Sequence, residues 1–300
     1  MFSKFALVFP GEGIERPGMG RALYEKYPQA KNILASACET LGFSIRDIMF
    51  EGPDEELLKT KNAQLAVFLS NMMVYSVIKD ALGERPLFAA GHSLGEYCAL
   101  VAAGALSFED SVVLVEKRGE IMQENMPDGG MSAVMGMRTY DVVNLCREIS
   151  ESGKLLVAAN FNARLETVIS GTREGIAEFG RKLPGGAKII PLKAAGPFHS
   201  FLMRRAQDKF AREIDGVYFS APEYPVVSNF SAQAEDSPSK IAEHLKNQIA
   251  SPVKWVSSVE FMVRRGVQTF IECSERSVLA RMIENISPEV KTLNALTLLG

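Results

Sequence analysis

The stretch FAAGHSLGEYCALVAAGAL, residues 88–106, decides how the chain is read. At its centre Gly91, Ser93 and Gly95 form a G-x-S-x-G. Residues 87–90 are a short apolar run with the character of a buried strand, and residues 94–103 are rich in helix formers. A serine on such a strand-to-helix turn has a strained backbone, and its hydroxyl is lifted clear of the sheet. The hydroxyl is a poor nucleophile until a base takes its proton.

The chain has three histidines, so the search for that base is short. His92 adjoins Ser93, and consecutive residues at a tight turn rarely face each other. His244, in KIAEHLKNQ, reads as part of a polar helix face. His199, in KAAGPFHSFLM, follows a Gly-Pro break and opens a helix, the kind of junction where sites are built. Elimination favours His199, with a packed, non-catalytic histidine as the alternative. No Asp or Glu stands out to orient it, and a backbone carbonyl can meet that need. An oxyanion hole needs backbone N–H groups: Leu94 offers one, and the PGEG turn at residues 10–13 offers a second.

Outward from the serine, strands alternate with helices. Residues 5–9 read as a first buried strand, residues 19–41 as a helix broken near Pro28, and residues 64–82 as an apolar helix. Ser107 and Asp110 stand at capping-box spacing ahead of a helix continuing to Met126. This order predicts an α/β fold with a parallel sheet. From Gly129 the grain is finer: strand 131–137, helix 140–152, strands 155–160 and 167–170, helix 172–183, strand 188–191. That βαββαβ order is ferredoxin-like. Residues 129–196 are therefore expected as an inserted subdomain, bounded by Gly129-Gly130 and by residues 194–197, within a body of residues 1–128 and 197–300. Longer helices follow at 198–215, 237–250, 255–265 and 277–286, with short strands at 226–228 and 268–272.

Composition narrows the function classes. A net charge of -3 argues against nucleic acid as the main partner. The insert holds nine Lys/Arg and six Asp/Glu, against 24 and 30 elsewhere, so a weakly basic insert stands beside an acidic body. The four cysteines are scattered without C-x-x-C spacing, which suits free thiols in a reducing compartment. The apolar run at residues 5–9 is too short for a signal segment, and no stretch reaches membrane-spanning length. A cytoplasmic monomer that binds neither nucleic acid nor membrane is the expectation.

The motifs FPGEG (9–13), GMG (18–20), GHSLGEY (91–97), LVEKRGEIMQE (114–124), NFN (160–162), GPFHS (196–200) and NQIASPVKW (247–255) occur in the order found in malonyl-CoA:acyl carrier protein transacylases. The chain resembles that family from Phe5 to about Leu279. The resemblance implies an α/β-hydrolase-like body with a ferredoxin-like insert, and an acyltransferase of fatty-acid or polyketide synthesis. It implies Ser93 as the acylated nucleophile, His199 as its base, and the N–H groups of Glu12 and Leu94 as the oxyanion hole. Gln248 would orient the histidine through its main-chain carbonyl. Arg118 would bind the malonyl carboxylate, a role its guanidinium fork suits; by itself it reads as a surface charge late in an amphipathic helix. Phe198 and Asn162 would complete the acyl site, Phe198 crowding an α-methyl branch. Malonyl-CoA and an acyl carrier protein are the implied partners, with phosphopantetheine carried by the latter and no cofactor or metal required.

One departure is chemically loaded: the family's first motif usually reads GQG, and here it is Gly11-Glu12-Gly13. The backbone donor survives, but the side chain becomes ionisable. It can pair with Arg118, stay protonated in a dry pocket, or position water for hydrolysis. Glu12 is thus expected to tune acyl choice. An editing acyl hydrolase and an inactive carrier-protein-binding module remain as alternatives.

Overall fold

The computed structural model describes residues 3–193 and 196–299. Side chains of β1 (Phe5–Phe9) alternate between two cores: Phe5, Leu7 and Phe9 enter one, Ala6 and Val8 the other. A strand buried on both faces belongs at the centre of a parallel sheet covered by helices. β1 indeed pairs in parallel with β2 (Phe88–Gly91) on one side and with β9 (Thr269–Glu272) on the other. The remaining strands of this sheet are β7 (Val226–Val227), β8 (Ala234–Glu235) and β10 (Lys291–Asn294), in the order β10-β9-β1-β2-β7-β8. Only the β7–β8 pair is antiparallel.

A second sheet is built from β3 (Gly130–Met135), β4 (Leu156–Ala163), β5 (Glu166–Gly171) and β6 (Lys188–Pro191). Its order is β4-β5-β3-β6, all antiparallel, and its own core includes Val134, Ile149, Ile169 and Phe179. Two breaks in register fall at Ala158/Asn160 and Phe161/Ala163, so the NFN motif lies in an irregular strand whose side chains are re-aimed. β4 is tied to the body there: the Val253 N–H donates to Ala159 O (2.8 Å) and the Phe161 N–H to Val253 O (2.9 Å). The expected boundary at residues 194–197 includes Ala194 and Ala195, which lie outside the described residues.

The helix expected over 198–215 begins later. Residues 198–200 form a turn, Phe201–Met203 a single 3-10 turn, and the α-helix runs Arg204–Asp215. The Ser200 hydroxyl donates to Pro197 O (2.6 Å) and the His199 N–H to Ile249 O (3.0 Å), holding the segment out of helical geometry. Two short helices, Ile45–Glu51 and Asp54–Leu57, and strands β8 and β10 have no counterpart in the sequence reading. The four cysteines are free, with Cys98, Cys146 and Cys273 buried and Cys38 half-buried. No helix among the described residues is long and apolar enough to cross a membrane.

Candidate active site

The G-x-S-x-G glycines are required by contact. A Cβ on Gly91 would stand 1.8 Å from the Gly95 carbonyl carbon, and one on Gly95 would stand 2.0 Å from Phe9 O. The turn is thereby pressed onto the end of β1, and the helix Gly95–Ala102 starts directly behind the serine. Ser93 itself sits at φ +50°, a left-handed conformation costing a non-glycine residue about 1–3 kcal/mol. Asn229 clamps this strained turn from both sides. Its Oδ1 accepts from the Ser93 N–H (2.6 Å) and its Nδ2 donates to Gly91 O (2.5 Å).

Ser93 Oγ lies 2.8 Å from His199 Nε2. The opposite ring nitrogen, Nδ1, faces two carbonyls, Gln248 O at 3.2 Å and Ser251 O at 3.1 Å. Carbonyls only accept, so Nδ1 carries the proton and Nε2 offers its lone pair to the serine. Two carbonyls thus do what a carboxylate does in a Ser-His-Asp triad. His199 is 4% exposed, and burial, the Arg118 charge and His92 together lower its pKa to about 3, so it stands neutral at physiological pH. Like Ser93 it has a positive φ, +56°.

Arg118 is not the surface charge its helix pattern suggests. It is 1% exposed, with its guanidinium over the Tyr97 ring at 5.7 Å. Nη2 donates to Ser93 Oγ (3.1 Å) and to Gln248 Oε1 (3.1 Å), and Nη1 donates to Gln64 Oε1 (2.6 Å). Its Nε has no partner among the described residues. A buried cation held by neutral acceptors beside a serine hydroxyl can receive an anionic group.

Gln64 and Glu96 complete this network without having been singled out in the sequence, and Gln248 does more there than its expected carbonyl role. Gln64 lies fully buried in the helix Thr60–Ile78. Gln248 acts through its side chain as well as its carbonyl, its Nε2 donating to Ser93 O (3.1 Å) and Glu96 Oε2 (2.7 Å). Glu96, 3% exposed, also accepts from the Asn229 N–H (3.1 Å). Burial pushes the Glu96 carboxyl up to about 7 against the pull of Gln248, Asn229, Ser228 and Arg118. The available signal was a polar residue inside an apolar helix (Gln64) and an acid immediately after the elbow (Glu96).

Gly11 brings the first turn against the elbow, since a Cβ there would stand 2.5 Å from His92 O and 3.6 Å from Leu94 N. Asn71 fixes the approach by donating to Pro10 O (2.9 Å). The N–H groups of Glu12 and Leu94 donate to no protein acceptor among the described residues. The half-buried Glu12 side chain accepts from Gln64 Nε2 (3.2 Å). Burial raises its carboxyl to about 7, Glu15 adding to this while Arg118 and Gln64 oppose it.

Phe198 and Asn162 are placed differently from these. Phe198 is buried in the main core next to Gly196. Asn162 turns toward His92, its Oδ1 3.0 Å from His92 Nε2, and donates to Glu166 (3.1 Å) rather than to Ser93 or Arg118. His92 also rests edge-on against Trp255 at 5.8 Å, with its pKa lowered by burial. His244 is not on an open polar face: it packs on Phe230 and lies 3.5 Å from Glu235.

Comparison with known proteins shows the family and fold of the chain. Residues 6–300 match the family described as "Acyl transferase domain". The malonyl CoA-acyl carrier protein transacylase of Bacillus subtilis (strain 168) is 41% identical, over 97% of this chain and 93% of its own length. That of Staphylococcus aureus (strain MRSA252) is 37% identical, over 99% and 96%. Among solved structures, a malonyl-transacylase in complex with its type II PKS acyl-carrier protein superposes with a TM-score of 0.93 at 34% identity, covering 99% of this chain and 98% of that one. An acyl carrier protein S-malonyltransferase from Vibrio cholerae gives 0.92 at 34% identity, covering 99% and 100%. With its serine, histidine and buried arginine arranged as described, the chain belongs to the malonyl CoA-acyl carrier protein transacylase family of acyl transferases.

Proposed function

We propose that the chain moves a malonyl group from malonyl-CoA to the phosphopantetheine thiol of an acyl carrier protein, through an acyl-serine. One observation carries the reading: Ser93 Oγ is shared between a neutral imidazole at 2.8 Å and a buried guanidinium at 3.1 Å. The first makes a nucleophile, and the second selects an acyl group with a free carboxylate.

In the first half-reaction Ser93 Oγ attacks the thioester carbonyl while its proton passes to His199 Nε2. The oxyanion forms against the N–H groups of Glu12 and Leu94, each worth roughly 10²–10³ in rate. The C–S bond breaks, the CoA thiolate takes the proton from His199, and CoA leaves. The carrier thiol then gives its proton to His199 and attacks the acyl-serine. Collapse breaks the Ser93 ester, and His199 returns the proton to Oγ. Arg118, released from Oγ once the ester forms, turns its donors to the malonyl carboxylate. Phe198 would limit room for an α-methyl branch. The reaction would supply malonyl units for fatty-acid or polyketide synthesis in the cytoplasm, where four free cysteines stay reduced.

Intact-protein mass spectrometry tests this. Malonyl-CoA should add one malonyl group to the native protein and none to Ser93→Ala, and a phosphopantetheinylated carrier protein should then remove it. Loss of the adduct to water faster than to the carrier would instead make the enzyme an editing hydrolase.

A further inference from the structure

No carboxylate touches Arg118 among the described residues; its partners are Gln64, Gln248 and Ser93. Two acids stand one amide away. Glu12 accepts from Gln64 Nε2 at 3.2 Å, and Glu96 accepts from Gln248 Nε2 at 2.7 Å. A guanidinium can only donate and a carboxylate can only accept, so each glutamine turns its oxygen to the arginine and its nitrogen to the acid. The site therefore sets one fixed cation between two amide-bridged acids.

The acids are not equivalent. Glu96 lies under the elbow, 3% exposed, and its carboxyl is fixed there by the Gln248 amide and the Asn229 backbone N–H. Glu12 lies half-buried on the oxyanion turn, with Gln64 as its only side-chain donor among the described residues. The charged groups facing Glu12 are Glu15 on its own turn and Arg118 on the helix Phe108–Glu124, while the helix Thr60–Ile78 presents the neutral Gln64.

We propose that Glu12 is a specificity-determining residue whose carboxylate competes with the donor's carboxylate for Arg118, so that a diacid acyl group is loaded on Ser93 as Glu12 takes up a proton. The inference rests on malonyl transfer as the reaction. Two carboxylates beside one cation in a poorly solvated site repel each other, and the arrival of the second raises the proton affinity of the first. The proton comes from solvent and converts the Glu12 carboxylate to the acid; no other bond changes. An acetyl group brings no charge and draws no proton. Since burial already holds the Glu12 carboxyl near 7, the proton is bound below neutrality and must be recruited above it.

The experiment compares loading of Ser93 from malonyl-CoA and acetyl-CoA between pH 6 and 8.5, in the native protein and in Glu12→Gln. In the native protein the malonyl-to-acetyl rate ratio should fall with pH above 7, approaching about tenfold per pH unit, the limit for one linked proton. In Glu12→Gln the ratio should stay flat. A flat native ratio, or an equal fall in the variant, overturns the proposal. Calorimetry on Ser93→Ala, in two buffers of different ionisation enthalpy at pH 8, reads the proton without altering Glu12. Malonyl-CoA should take up about one proton more than acetyl-CoA, and equal uptake overturns the proposal. Absence of any malonyl adduct at every pH would overturn the transfer reading and this inference with it, whereas an adduct with a flat ratio overturns only the role of Glu12.

Discussion

Arg118 Nη2 donates to Ser93 Oγ at 3.1 Å, from a side chain that is 1% exposed. On the proposed reading, the nucleophile and the cation for the substrate's far end are thus in contact before substrate arrives. An acyl group bound as proposed would span a carbonyl at Ser93 and a carboxylate at Arg118, a short reach that suits a three-carbon diacid.

Replacing Arg118 should change which acyl group is accepted. Arg118→Gln removes the charge but keeps an amide that can reach Gln64 or Gln248. Loss of two charge-assisted hydrogen bonds, each about 1.5–3 kcal/mol, should lower malonyl loading by at least about 10²-fold. Acetyl loading should fall far less. The two rates, read as acyl adducts on Ser93, check this directly.

The pH profile should have no limb at the usual histidine value. His199 must be neutral to accept the serine proton, and its site lowers its pKa to about 3. Acetyl-CoA loading should therefore hold between pH 7 and 5.5, provided the protein stays folded. A fall centred near pH 6.5 would mean that His199 is solvated in the working enzyme. His199→Ala should reduce loading by about 10²–10⁴-fold, the range for a positioned general base.

Glu96 should make stability depend on pH. Burial raises its folded pKa to about 7 from the ordinary 4.5, so between those values the folded state binds the extra proton. By linkage, stability falls as pH rises through that window, at up to about 1.4 kcal/mol per pH unit from this group. His199, whose pKa is lowered, acts with the opposite sign below about 6.5. Glu96→Gln should remove the first contribution. Urea midpoints at pH 5 and pH 7.5 should differ less, in the direction of loss at high pH, in the variant than in the native protein.

Two glycines give a contrast in packing. Gly91→Ala places a methyl 1.8 Å from backbone carbon, a clash no side-chain movement relieves, and should cost more than about 4 kcal/mol or prevent folding. Gly180 lies in the helix Arg173–Arg181 with nothing within 4 Å of its Cβ position. Gly180→Ala should stabilise by about 0.5–1 kcal/mol. Thermal unfolding of the two variants checks both.

Local chemistry in the sequence determined the elbow, the helix and strand order on either side of it, and the βαββαβ grain of residues 129–196. These features depend on neighbours a few positions apart: glycine size, apolar periodicity, caps and breaks. His199 was legible because the chain has so few histidines and a Gly-Pro break precedes this one. Tertiary structure decided what surrounds them. The sheet order places the turn after β1 beside the turn after β2, and folding brings Gln64, Arg118, Asn229 and Gln248 to Ser93 and Glu96 from separate elements. Arg118 reads as surface in its own helix, because only the packed neighbours reveal which face of a helix is covered. Glu12 shows the same division. Its identity was visible as a departure from a motif, but its link to Arg118 runs through Gln64, which, buried with Arg118 away from water, turns its oxygen to the arginine and its nitrogen to Glu12.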